Sequence, residues 1–139
     1  MYKTIHFKKF SDGHGDLVPI EFGKKEDEEN SCNIPFDVKR CYYISAPTDN
    51  AIRGKHAHYN LEQVIICIHG SFTLMLDDGK KKCSLNLDNN HTGIYIKDLV
   101  WRELKNFSES CVILVLASQH YDPDDYVRDY DTFLKLASC

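Results

Sequence analysis

The sequence predicts an all-β fold, a sandwich or barrel of short strands followed by one C-terminal amphipathic helix. Two observations carry this. Short apolar and β-branched runs recur from Thr4 to Ala117, bounded by turn residues, a spacing typical of sandwiches and barrels. After Tyr121 the apolar residues recur at helical spacing instead. With 139 residues, 42% of them hydrophobic, a single domain spanning 1–139 with a substantial core is expected.

The elements follow in order. Thr4 to Phe10 is the first predicted strand. Ser11-Asp12-Gly13-His14-Gly15-Asp16 is a turn cluster, and Leu17 to Phe22 a second strand. Gly23 to Pro35, with Glu26-Asp27-Glu28-Glu29, reads as a charged surface loop. Val38 to Ser45 is a strand, and Pro47 to Asn50 a turn. The strand holding His56 and His58 comes next, the pair standing near its start. Glu62 to Ile68 and Ser71 to Leu76 join at His69-Gly70, and Asp77-Asp78-Gly79 marks a hairpin from which Lys82 to Leu87 returns. Ile94 to Ile96, Val100 to Leu104 and Cys111 to Ala117 complete the β region; Trp101 reads as core. Asp122 suits a helix N-cap, Pro123 the first helical position, and Asp124 and Asp125 the positive end of the dipole. Tyr126, Tyr130, Phe133, Leu134 and Ala137 then form the apolar stripe of one helix.

Val64 to Ile68 and Cys111 to Ala117 are apolar without alternation, so both faces of these strands should be covered. One helix covers only part of that surface, which predicts a homodimer. No run is long enough to span a bilayer, and Met1-Tyr2-Lys3-Thr4-Ile5-His6 has no apolar signal region, so a cytoplasmic protein is expected. Six scattered cysteines without a C-x-x-C pair agree with this and argue against a disulfide framework or a zinc site. The net charge of −4, from 17 basic and 21 acidic residues without a basic stripe, argues against nucleic-acid binding. Arg40, Arg53, Lys55 and Arg102 flank predicted strands, where they could hold one small anionic molecule.

Chemistry concentrates in Arg53-Gly54-Lys55-His56-Ala57-His58. Side chains two apart on a strand share a face, so His56 and His58 project together into whatever the sheet encloses. Such a pair can bind a metal, move protons or fill a core. Filling a core is a poor use for imidazoles, since each needs hydrogen-bond partners. The glycine, the H-x-H pair and Gly70 resemble the first motif of the cupin superfamily, with Gln63 where metal-binding cupins carry glutamate. The counterpart of the second motif, Gly93 to Asn106, offers Arg102 in place of a third histidine. Two histidines, a neutral amide and a cation are a poor ligand set for a divalent ion. Proton transfer suits imidazole better.

A narrower resemblance covers nearly the whole chain, from about Phe10 to Phe133. Val38-Lys39-Arg40-Cys41-Tyr42-Tyr43-Ile44, the His56/His58 segment and Gln63-Val64-Ile65-Ile66-Cys67 are similar to the nucleoside-diphosphosugar 3,4-ketoisomerases. So are Gly70-Ser71, Val100-Trp101-Arg102-Glu103, Leu114-Val115-Leu116-Ala117-Ser118 and the tail from Tyr121-Asp122 to Asp131. The resemblance implies a cupin-type jelly-roll and a homodimer with exchanged N-terminal strands, giving Thr4 to Phe10 a role. It implies a cofactor-free, metal-free isomerase that moves the ketone of dTDP-4-oxo-6-deoxy-D-glucose from C4 to C3, for 3-amino-3,6-dideoxy sugars of surface glycans. It places the base at His56, with His58 and Tyr42 shuttling protons or polarising sugar oxygens. Arg40, Arg53, Lys55, Gln63 and Arg102 would contact substrate, Arg53 steadying an oxyanion or the diphosphate. Arg102 resembles the family's gluco-product members rather than its galacto-product members, while His14 matches neither at a second position tied to that choice. A metal-dependent cupin enzyme and a non-catalytic nucleotide-sugar binder are the competing readings.

Overall fold

A computed structural model describes residues 1–23, 34–45, 47–48 and 50–139. Two antiparallel five-stranded sheets pack face to face. The first has the order β1 (Lys3–His6), β9 (Thr92–Ile96), β6 (Gln63–His69), β11 (Val112–Ala117), β4 (Arg40–Ser45). The second has the order β12 (Tyr126–Val127), β5 (Arg53–His58), β10 (Trp101–Lys105), β7 (Phe72–Asp77), β8 (Lys82–Leu87). A small hairpin of β2 (Phe10–Ser11) and β3 (Asp16–Leu17) stands apart from them. The predicted strands from Val38 to Ala117 match β4 and β6 to β11 within about two residues at each end; in β5 the histidine pair stands at the end of the strand and not near its start. The predicted loop at Glu26 to Glu29 lies outside the described residues.

Two further expectations are corrected. The N-terminal strands are shorter than predicted. The Phe7 amide makes one more bond in the β1–β9 register, to the His91 carbonyl, and the ladder ends there: Lys8 and Lys9 lie in no strand and Phe10 belongs to β2. The Leu17–Phe22 run pairs only through Leu17; Pro19, without an amide hydrogen, cannot continue a ladder. The C-terminal segment is also not one helix. Asp122 caps a single 3-10 turn, Pro123–Asp125, and Tyr126–Val127 then pairs with Ala57 and His58 as an edge strand. The α-helix α1 (Tyr130–Ala137) starts afresh, with the Asp129 carboxylate accepting the Thr132 amide.

The core between the sheets is built from Ile65, Cys67, Phe72, Leu74, Leu76, Leu87, Ile113 and Val115. Helix α1 covers the outer face of the second sheet, where Phe133 and Tyr130 pack on Trp101, which is core as expected. The outer face of β6 and β11 is covered only in part, and by the chain's own segments: Val64, Ile66 and Leu116 are buried, while Val112 and Leu114 are half-buried and Ile68 is 38% exposed. Phe7, Val18, Ile20, Ile34, Phe36 and Val38 lie against Val64, Ile66 and Leu116. The chain's own segments thus explain the apolar character of Val64, Ile66 and Leu116, but not that of Ile68, Val112 and Leu114.

Candidate active site

At one end of the sandwich the inward positions are polar. They enclose an open cavity of about 420 Å³. Arg40 and Tyr42 enter from β4, Gln63 from β6, Arg53 and His56 from β5, and Arg102 from β10; Tyr126 and Arg128 close one side. Ile65, Leu104 and Val115 form its apolar floor. Of the residues predicted to contact substrate, Lys55 is displaced from this wall. Opposite Arg102 and Glu103 the ladder pairs His56 and then Gly54, so Lys55 is the extra residue of a β-bulge and its side chain is exposed. Gly54 and Lys55 both have positive φ, 82° and 52°. A Cβ on Gly54 would also stand 3.0 Å from the Arg102 carbonyl oxygen, so glycine is required on two counts. His14 lies on the β2–β3 turn, away from the cavity lining.

The bulge has a chemical consequence. It brings the Gly54 carbonyl to 2.9 Å from His56 Nδ1. A carbonyl only accepts, so Nδ1 carries the proton and the neutral ring presents its lone pair at Nε2. Burial, and after it the Arg102 charge, pushes His56 down to about 4. The ring is therefore a neutral proton acceptor at physiological pH.

His58 shares the face of His56, as the spacing requires, but stands in the second half of the strand and deeper. It is 1% exposed and does not itself line the cavity. Its ring meets His56 edge-on at 4.7 Å and Tyr126 at 4.4 Å. Its Nδ1 donates to the Asp125 carboxylate at 3.1 Å, and the other ring nitrogen has no partner. Burial, then Arg102 and His56, holds this ring neutral, down to about 2. Asp125 also accepts the amides of Asn60 and Leu61, so it ties the β5–β6 turn to the histidine.

Tyr42, Gln63 and Arg102 form a chain across the two sheets. Arg102 Nη1 donates to Gln63 Oε1 at 2.5 Å and Nη2 to the Val100 carbonyl at 2.8 Å. Gln63 Nε2 donates to Tyr42 Oη at 3.1 Å. Burial and then Tyr126 raise the Tyr42 phenol above its ordinary value, so it stays protonated. Arg102 is fully buried; desolvation lowers it to about 10, and it remains cationic. The Arg40 guanidinium lies 5.3 Å from the Tyr42 ring centroid, and that of Arg128 4.1 Å from the Tyr126 ring centroid. Among the described residues, the buried side-chain atoms without a partner are Arg40 Nε, His58 Nε2 and Arg102 Nε. All three belong to this one site.

A metal does not fit here. Gln63 Oε1, the oxygen such an ion would need, is taken by Arg102, and the guanidinium charge stands beside both imidazoles. Among the described residues no group of three His, Cys, Asp or Glu could hold a metal ion. The arrangement instead offers a base (His56), a protonated phenol (Tyr42) and fixed cations. Asp125, Tyr126 and Arg128 were not identified as site residues from the sequence. Tyr126 and Arg128 alternate as strand residues do, but the helical stripe through Tyr130 and Phe133 masked that signal.

The chain is similar to known proteins over nearly its whole length. The family model FdtA, described as WxcM-like, C-terminal, matches residues 1–138. A curated relative, the TDP-4-oxo-6-deoxy-alpha-D-glucose-3,4-oxoisomerase of Aneurinibacillus thermoaerophilus, is 46% identical over 133 residues, 96% of this chain and 90% of the relative. The 3,4-ketoisomerase QdtA from Thermoanaerobacterium thermosaccharolyticum, solved as a histidine-to-asparagine variant in complex with TDP-4-keto-6-deoxyglucose, is 42% identical. It superposes with a TM-score of 0.89 over 99% of this chain and 94% of its own. The WlaRB TDP-quinovose 3,4-ketoisomerase from Campylobacter jejuni is 41% identical, with a TM-score of 0.84 over 96% of this chain and 97% of its own.

Proposed function

The chain belongs to the FdtA family, and we propose that it is a nucleoside-diphosphosugar 3,4-ketoisomerase acting on dTDP-4-oxo-6-deoxy-D-glucose. The single observation that carries the mechanism is the neutral His56 ring on the cavity wall, with its Nδ1 proton engaged by Gly54. The C4 ketone acidifies the hydrogen on C3. His56 Nε2 removes that proton to give an enediolate, a proton passes from the C3 hydroxyl to the C4 oxygen, and the imidazolium returns a proton at C4 as the C3 oxygen becomes the carbonyl. The neighbouring cations Arg102 and Arg40 favour the developing negative charge. Arg53 and Arg128, also on the lining, would meet the diphosphate. No redox step is needed.

Arg102 supports the product with 6-deoxy-gluco configuration, and the relative named for quinovose, the 6-deoxy-gluco sugar, points the same way. The product would enter biosynthesis of 3-amino-3,6-dideoxy sugars for surface glycans, in the cytoplasm. Among the described residues no helix is long and apolar enough to cross a membrane. We also propose a homodimer joined through the N-terminal strands. Phe10 and Leu17 face each other across the small hairpin, 55% and 65% exposed, as residues awaiting a second copy would be. Sedimentation should give twice the chain mass; a monomer that retains full activity overturns the dimer.

The reaction is tested by incubating chelator-treated protein with the dTDP-4-oxo sugar in deuterated water and following proton NMR. The expected product is a 3-oxo sugar with deuterium at C4, entering through exchange of the His56 imidazolium with solvent; a parallel run in ordinary water keeps H4, whose coupling to H5 reports the epimer. Conversion only after a divalent metal is added would favour a metal-dependent cupin. Tight nucleotide binding without conversion would favour a non-catalytic binder.

A further inference from the structure

Gln63 occupies the place where a cupin could carry a metal-binding carboxylate, and it sits on the cavity lining as a substrate contact would. Its hydrogen bonds show a different task. An arginine has no acceptor, so the atom that meets Arg102 must be the amide oxygen. That fixes the flip of the side chain, and the atom facing Tyr42 must be Nε2, a donor. Tyr42 Oη therefore accepts from Gln63, and its own hydrogen is left for the cavity. Gln63 is 2% exposed and Arg102 1%, so neither bond has water as a competitor.

We propose that Gln63, anchored by Arg102, is a positioning residue that makes Tyr42 the hydrogen donor to the sugar oxygens. The inference rests on the isomerase reading. Isomerisation requires O4 to gain a proton and O3 to lose one, and these oxygens are on adjacent carbons. As His56 takes the C3 proton, that C–H electron pair forms the C3–C4 double bond. The carbonyl pair moves onto O4, which takes the Tyr42 proton and leaves a phenolate. The phenolate then takes the proton from O3–H. A lone pair on O3 forms the new carbonyl, and the double-bond pair takes the proton back from His56 at C4. Tyr42 ends as it began. Gln63 Nε2 serves both halves, since it directs the phenol outward and donates to the phenolate. A glutamate at this position would do the reverse, with one oxygen accepting from Arg102 and the other drawing the Tyr42 proton away from the substrate.

The test is a double-mutant cycle of Gln63→Glu and Tyr42→Phe, assayed with EDTA present so that the new carboxylate recruits no metal. In the wild-type background Gln63→Glu should lower kcat by about 10–100-fold with KM little changed. In the Tyr42→Phe background the same substitution should cost no more than about threefold, because its target is gone. Gln63→Met, run in the same cycle, supplies the answer if the glutamate variant does not fold. Equal losses in both backgrounds, or full activity of Gln63→Glu, overturn the inference while leaving the isomerase reading intact. A wild-type chain inactive on the 4-oxo sugar overturns both.

Discussion

The two ends of the sandwich interior differ more than the two sheets do. Each site strand runs from one end to the other with its inward positions two residues apart. On β4 these are Arg40, Tyr42 and Ile44; on β6, Gln63, Ile65 and Cys67; on β10, Arg102 and Leu104. At one end the series is polar and bounds a cavity. At the other it is apolar and filled by Phe72, Leu74, Phe107 and Cys111. The lesson is that the site is not an addition to the barrel. It is the barrel's own core-facing pattern, changed in chemistry over its last one or two inward positions per strand. Removing a polar-end group should therefore cost activity, and removing an apolar-end group should cost stability.

The strongest way to break this contrast is His56→Asn. Loss of the general base should cut kcat by about 10²–10⁴ with the thermal midpoint little moved; a near-wild-type rate in the NMR assay would misplace the base. The converse is Phe72→Ala at the apolar end. Phe72 is 0% exposed, so denaturant unfolding should show a loss of about 3–5 kcal/mol, while the folded fraction keeps its specific activity. Tyr42→Phe should lower kcat by about a hundredfold, the low end for a general acid–base group, and leave nucleotide binding unchanged by calorimetry.

Asp125→Asn sharpens the contrast, because Asp125 holds both a loop and a histidine. Both readouts should move, with kcat down about tenfold, as for other outer partners of functional histidines, and stability down by about 1–3 kcal/mol. Nitrogen NMR should place the proton of wild-type His58 on Nδ1, and a change of tautomer should accompany the kinetic loss.

The smallest effect is on pH. His56 is held at about 4, so kcat/KM should stay flat from pH 8 to near pH 5 and fall only below that. An unshifted histidine would already have lost half its activity near pH 6.5. Stability has the opposite reference. The unfolded ring gains its proton near pH 6.5 and the folded ring only near 4, so unfolding takes up a proton in that window, and stability falls as pH drops through it. A kcat/KM profile breaking at pH 6.5 would show that burial and Arg102 do not set the ring's charge.

Much of this was legible in the sequence. Short apolar runs bounded by turn residues placed most of β4 to β11, and the H-x-H spacing put both imidazoles on one face. Those features are local, and the backbone period alone carries them from sequence to geometry. The depth of His58 was not legible, because spacing gives a face but not a distance from solvent. Nor was the displacement of Lys55, since a bulge is defined by the partner strand's register. The tail misled for the same kind of reason. Asp122 to Val127 has the residues of a helix start, but pairing with His58 and the three donors gathered on Asp125 hold it as a turn and an edge strand. Local propensity differs by only tenths of a kcal/mol per residue, and a buried carboxylate with its donors outweighs it. The sequence by itself therefore determined that His56 and His58 share a face and that Tyr42, Gln63 and the arginines Arg40, Arg53 and Arg102 are candidates to stand near them. Only the tertiary structure decided which lie at the cavity wall, which nitrogen of each histidine is free, and which partners hold them there, because those depend on contacts between residues distant in the chain.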